Sequence, residues 1–158
     1  MKKYEFTGET KRVELWNRTA TLHRIKATVE FGFVKVGELG GWIEKEENLS
    51  HEGKAWVWGN AEVCGDAKVW GNANVCGNAE VFLASHVLVM GSVGSRNDFT
   101  TFFRDKDNEI TVKCGCFLGK IDKFLEKVTQ THGNNKYALV YRAAVEVAKL
   151  QIELTERK

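Results

Sequence analysis

Residues 55–81, AWVWGNAEVCGDAKVWGNANVCGNAEV, write nearly the same six letters four times while alternating Trp with Cys inside each copy. Valine falls at 57, 63, 69, 75, 81, 87 and 93, one register carried across the stretch. An α-helix would scatter a six-residue period around its circumference, because six is not a multiple of ~3.6. A four-residue strand followed by a two-residue corner fits the period instead. Neighbours in a strand point to opposite faces, so Ala61 and Val63 point one way, Glu62 and Cys64 the other, and Gly65-Asp66 makes the corner. The charged residue marks the outside. Small Ala and β-branched Val then fill a narrow interior.

This assignment sends Trp56, Trp58, Cys64, Trp70, Cys76 and Phe82 outward. An exposed apolar stripe on stackable strands invites aggregation, so the stripe is expected to be covered. Two covers are open: the chain's own C-terminal helices, or a second copy or another protein, for which aromatic anchors poor in charge make a suitable interface centre. Two spacings are also open. Coils of 18 residues would set Trp58 on Cys76 and Cys64 on Phe82; coils of 12 would make an aromatic ladder of Trp58, Trp70 and Phe82.

The flanks differ in period. Residues 1–50 carry β-type runs in YEF, TLHRIKATVEF and GFVKVGELGGWIE, read as antiparallel strands. Residues 51–95 hold the repeat. In 96–158, FTTFFRDKDNEITVKCGCF reads as a hairpin turning at Asp105 to Asn108. There follow two helices: IDKFLEKVTQTHG with Ile121, Phe124, Leu125 and Val128 on one stripe, and KYALVYRAAVEVAKLQIEL behind a candidate N-cap Asn135, with Gly133 between them. The expected class is mainly β with C-terminal α: a short single-stranded β-solenoid flanked by N-terminal strands and by a C-terminal hairpin with a helical pair.

The repeat resembles the hexapeptide-repeat β-helix proteins, whose coils commonly have three faces. That resemblance implies a left-handed β-helix, although Gly here comes one residue later than in the acyltransferase pattern, which leaves handedness open. Taken with EFTGETK, LGGWIEKEENLS and CGCFLGKIDKFLEKVTQTHGNNKYA, the chain is similar to small hexapeptide-repeat, polymer-forming-like accessory proteins of bacteriophages and prophages. The likeness implies a setting in the cytoplasm of a bacterial host and no particular reaction.

Composition narrows the function classes. Lys plus Arg number 23 against 21 Asp plus Glu, a net charge of +2, too small to argue for nucleic acid or an anionic membrane. No apolar run approaches the ~20 residues that span a bilayer, and MKKYEFTGETK has no apolar continuation of the kind a signal peptide shows. The CGC at 114–116, with His132, lacks the second ligand pair usual in zinc sites, so no metal or cofactor is expected. His23, His51, His86 and His132 are the candidate bases, and none has a Ser or Cys beside it in a recognisable motif. The expected function is a non-catalytic, phage-type interaction protein, homo-oligomeric and most simply a dimer. It would bind and block a host protein, or sequester its ligand, as an anti-defence inhibitor through Trp56, Trp58, Trp70, Phe82, Cys64 and Cys76. Two alternatives remain: a degenerate hexapeptide acyltransferase using a coenzyme A thioester with His86 as base, and a nucleic-acid binder using Lys2, Lys3, Lys11, Arg12, Arg18, Arg24, Lys26 and Lys35.

Overall fold

Strand-forming residues interleaved with charge shape the N-terminal third. The computed structural model describes residues 2–154; the last four residues of the region expected over 96–158 lie outside them. β1 (Tyr4–Glu14) and β2 (Thr19–Ala27) form an antiparallel hairpin, and β3 (Leu39–Ile43) pairs antiparallel with β2. In β2 the buried positions change phase between Leu22 and Ile25, where the register with β1 shifts. Such an irregularity turns the next side chains to the other face. Ala20 and Leu22 therefore join Trp42 and Cys64 in one small cluster, while Ile25 and Ala27 join the main core.

The repeat supplies four strands of two residues each: β4 (Trp56–Val57), β5 (Glu62–Val63), β6 (Asn74–Val75) and β7 (Glu80–Val81). Val57 pairs with Val75 and Val63 with Val81, parallel and 18 residues apart. Ala55, Ala61, Ala67, Ala73 and Ala79 are buried with Val57, Val63, Val69, Val75 and Val81 in one cluster. At the corners Gly59, Gly65, Gly71 and Gly77 all have φ between 56° and 65°, a region costly for residues with a Cβ. A Cβ on Gly65 would in addition sit 2.5 Å from the Phe82 carbonyl oxygen. Buried Asn48 braces this corner: its Nδ2 donates to the carbonyls of Gly65 (3.1 Å) and Ala67 (2.8 Å).

These strands do not make the expected short single-stranded β-solenoid or left-handed β-helix. The sheets are open and mixed. β5 and β7 extend the N-terminal meander into a five-stranded sheet of order β1-β2-β3-β5-β7, and β4 and β6 form a separate two-stranded sheet. Two-residue strands offer too few ladder bonds to stand alone; β5 is laid in parallel on the longer β3 and β7 in parallel on β5, while β4 and β6 pair in parallel with each other. The valine register also ends early. Val87 and Val93 lie half-buried in β8 (Val87–Val93), which pairs antiparallel with β9 (Asp98–Arg104) instead of stacking on the repeat.

β8, β9, β10 (Ile110–Cys114) and β11 (Phe117–Lys120) form a four-stranded antiparallel sheet of order β11-β10-β9-β8. Alternation sorts its faces between two cores. Phe103, Val87 and Val89 pack against the repeat, whereas Phe102, Leu88 and Met90 pack under α1 (Ile121–His132) and α2 (Lys136–Gln151). Gly133, at φ 62°, closes α1, and the Asn135 side chain accepts the N–H groups of Tyr137 (3.0 Å) and Ala138 (3.1 Å) to open α2.

The β9–β10 turn is tied to the repeat. The Lys106 N–H donates to the Asn78 carbonyl (2.9 Å). Buried Asp105 accepts from Thr111 Oγ1 (2.6 Å), Lys120 Nζ (2.7 Å) and the backbone N–H groups of Asp107 and Glu109. Burial alone would raise this carboxyl; the bonds from Lys120 and Thr111 outweigh it and hold the pKa low.

Candidate functional site

The six side chains singled out by the repeat meet different fates. Trp56 is fully buried, edge-on to Tyr4 and Phe31, whose chain segments cross over it; its Nε1 finds no hydrogen-bond partner among the described residues. Trp58 is half-buried and donates through Nε1 to Asn74 Oδ1 at 3.0 Å. Cys64 sits beneath Trp42 and Leu22, where burial pushes its thiol up to about 12. Cys76 lies in the main core, its pKa likewise raised by burial. Phe82 carries the Arg104 guanidinium over its ring at 5.5 Å. Trp70 alone of the six is exposed, at 61%. The covers are thus the N-terminal strands and β9. The helices lie on the far side of the second sheet.

Trp70 borders a groove of about 460 Å³ together with Asp66, Lys68, Ala73, Ala84, Val87 and Val89. The groove exists because the chain departs. Val69 bridges Leu49 on one side, but the next stretch leaves in β8 toward β9, and no strand among the described residues is laid over Lys68 to Trp70 on the other side. The result is an indole standing beside an apolar shelf made by Val87 and Val89, with one acidic and one basic residue at its rim.

A second concavity of about 130 Å³ lies in the C-terminal layer, lined by Cys114, Cys116, Phe117, Phe124, His132 and Tyr141 among others. The β10–β11 turn places both thiols of CGC there, with Gly115 at φ 58° between them. Thr100 Oγ1 donates to Cys114 Sγ at 3.4 Å, and His132 stacks on Tyr141 with centroids 5.8 Å apart. Burial, followed by Cys114, raises the Tyr141 phenol. No group of three or more His, Cys, Asp or Glu among the described residues could hold a metal ion.

The other histidines have structural partners. His86 is buried, and its Nδ1 accepts the N–H groups of Phe82 (3.0 Å) and Leu83 (3.1 Å). Burial, with Arg104 nearby, lowers its pKa to about 4, so the imidazole is neutral at physiological pH. His51 stacks on Tyr4 at 4.0 Å and bonds Glu46 at 2.8 Å; His23 stacks on Phe6 at 4.5 Å. Among the N-terminal cations, Lys2, Lys11, Arg18, Lys26 and Lys35 are ion-paired with Glu46, Glu62, Glu44, Glu5 and Glu30. Lys3 is buried, its Nζ 2.6 Å from the Ala55 carbonyl oxygen and its pKa lowered by burial to about 8. Such a face has little free positive charge for phosphates.

Exposed apolar residues also occur outside the repeat. Trp16 (89%) and Phe33 (93%) cap turns of the N-terminal meander. On α2, Leu139, Ala143, Val147 and Leu150 face solvent at spacings of four, four and three, opposite the buried stripe of Ala138, Tyr141, Ala144, Val145 and Ala148. The second stripe was legible in principle, since four-three spacing marks one helix face, but the stronger inward stripe of the same helix masked it. No helix among the described residues is long and apolar enough to cross a membrane. No protein-family model matches the chain, and no match was found among curated proteins.

Proposed function

We propose that the protein is a non-catalytic binding protein that docks a partner protein on the Trp70 face. One observation carries this reading: five of the six apolar repeat positions are covered by the chain itself, and Trp70 is left in solvent beside the Val87–Val89 shelf. A large aromatic next to an unfilled apolar groove has the composition of an interface anchor. The resemblance to phage-encoded repeat proteins favours a host protein as the partner and steric blockade, as in an anti-defence inhibitor, as the effect. On this reading the protein works in the host cytoplasm.

Affinity capture from bacterial lysate, with wild type beside Trp70→Ser, tests it. The expected result is a single protein retained by the wild type, lost by the variant, and inhibited on addition of purified wild type. Equal retention by the variant would remove Trp70 from the role.

Self-association is a second element of the proposal, supported by the outward stripe of α2. Leu150 is 86% exposed there, and Arg142, Glu146 and Lys149 flank the stripe with both signs of charge, as a self-complementary face requires. Sedimentation is expected to give a dimer that Leu150→Glu converts to monomer.

A further inference from the structure

The concavity of the C-terminal layer is separate from the Trp70 face, and its chemistry points to a small molecule. Its volume, about 130 Å³, compares with the engineered apolar cavity of about 150 Å³ that admits one benzene ring. Aromatic side chains form much of its wall: Phe117 and Phe124 lie 5.5 Å apart, and Tyr141 meets Phe124 edge to face at 5.7 Å and 88°. Size and walls together select a single flat ring.

Charge at the lining selects the rest of the ligand. Arg96 and Lys127 both line the cavity and are exposed. Neither has an ion-pair or hydrogen-bond partner among the described residues, whereas Lys11, Arg18 and Lys120 are all held by carboxylates. Asp98 is the one carboxylate in the lining, and its Oδ1 accepts the Phe99 N–H at 2.8 Å. The lining thus has two uncommitted cations against one partly committed anion. A guanidinium presents two parallel donors to a carboxylate, and a nearby ammonium adds charge without demanding geometry.

We propose that this cavity binds a single-ring aromatic acid, its ring against Phe117, Phe124 and Tyr141 and its carboxylate held by Arg96 and Lys127. Binding is reversible and involves no covalent step. The two thiols of the β10–β11 turn border the bound ring and report on it.

Benzoate is the probe. Iodoacetamide labelling, read residue by residue by mass spectrometry, is expected to slow at Cys114 and Cys116 by about tenfold when benzoate is at roughly ten times its Kd, if the occupied state does not react. Cys64 and Cys76 are buried and should stay unlabelled throughout, which verifies the fold in the same sample. An Arg96→Ala, Lys127→Ala double variant alters two exposed side chains and is expected to weaken protection by about tenfold or more while Cys64 and Cys76 remain protected. Benzyl alcohol should protect poorly for want of charge, and acetate for want of a ring. Absence of protection at tens of millimolar benzoate, equal protection by benzyl alcohol or acetate, or full protection in the double variant would each overturn the proposal. The Trp70 reading would stand or fall separately.

Discussion

The repeat core and the helical core share one sheet but are filled by different means. Beneath the repeat, Ala and Val recur every six residues on strands only two residues long, and the larger Tyr4, Trp56 and Phe103 join that regular filling in the same cluster. Under α1 and α2 the filling is aromatic and irregular: Phe102, Phe124 and Tyr141 meet edge to face, and Phe117 closes one side of a cavity. Small residues in register seal a core, whereas large rings meeting at angles leave space between them. The proposed ligand site lies in the second kind of core for that reason.

β9 joins the two, and breaking it is expected to have the largest effect. Phe103 faces the repeat and Phe102 the helices, both fully buried. Phe102→Ala and Phe103→Ala should each cost about 3–5 kcal/mol. If the cores fold as one unit, both variants shift a single denaturation transition seen alike by far-ultraviolet dichroism and by Trp fluorescence. Two separated transitions in either variant would show that the sheet divides the molecule instead of uniting it.

Asp105 tests the same junction from its turn. Asp105→Ala leaves the Thr111 hydroxyl and two backbone N–H groups without this acceptor, while Lys120 keeps Asp107 and Glu109. A loss of about 2–3 kcal/mol is expected, since unsatisfied donors are the costly part of a broken network. Urea denaturation measures it. Lys120→Ala, which removes one donor of several, should cost less.

How far this comparison was legible in the sequence differs between its two sides. The Ala-x-Val period, the glycine corners, the Asp105 turn and the Gly133–Asn135 boundary all depend on local physics, and each falls where its residues place it. Partner choice is not local. Val87 and Val93 keep the valine register, yet hydrogen-bonding with β9 takes them out of the repeat. Trp56 points away from Val57 by strand alternation but is buried all the same, because Tyr4 and Phe31 arrive from distant segments. β1 gave no alternating signal over Glu5 to Thr10, where an edge strand is exposed along both faces. The cavity joins residues from Val93 to Tyr141 and corresponds to no contiguous motif.

Acid should weaken the repeat side in two windows. His86 has its folded pKa lowered to about 4 from the ordinary 6.5, so protons favour the unfolded chain. The stability is present above pH 6.5 and is lost as pH falls toward 4, because a protonated Nδ1 can no longer accept from Phe82 and Leu83. Glu44, held to about 2 first by the bidentate Arg18 bond and then by the Gly65 N–H, acts lower. Its contribution is present above about 4.5 and is lost as pH falls toward 2. His86→Asn keeps an acceptor without a proton to gain, so it should flatten the upper window and leave the lower one. Denaturation midpoints at pH 7, 5 and 3.5 separate the two. An unchanged slope between 7 and 5 in the variant would assign that window to another group.

The smallest expected change in stability belongs to Trp70, and its smallness is the point. Trp58 and Trp70 occupy the same place in successive WGN corners. Trp58 finds Asn74 Oδ1 sixteen residues on; the residue sixteen after Trp70 is His86, which is turned inward to cap Phe82 and Leu83. One indole therefore has a hydrogen-bond partner inside the chain, and the other has none among the described residues. Trp58→Ser removes packed area and a hydrogen bond and should cost about 2 kcal/mol, whereas Trp70→Ser should change stability by no more than about 0.5 kcal/mol. Iodide quenching should fall in Trp70→Ser and stay nearly constant in Trp58→Ser. If both substitutions prove equally costly, Trp70 is part of the chain's own packing and the face proposed to dock a partner is already occupied.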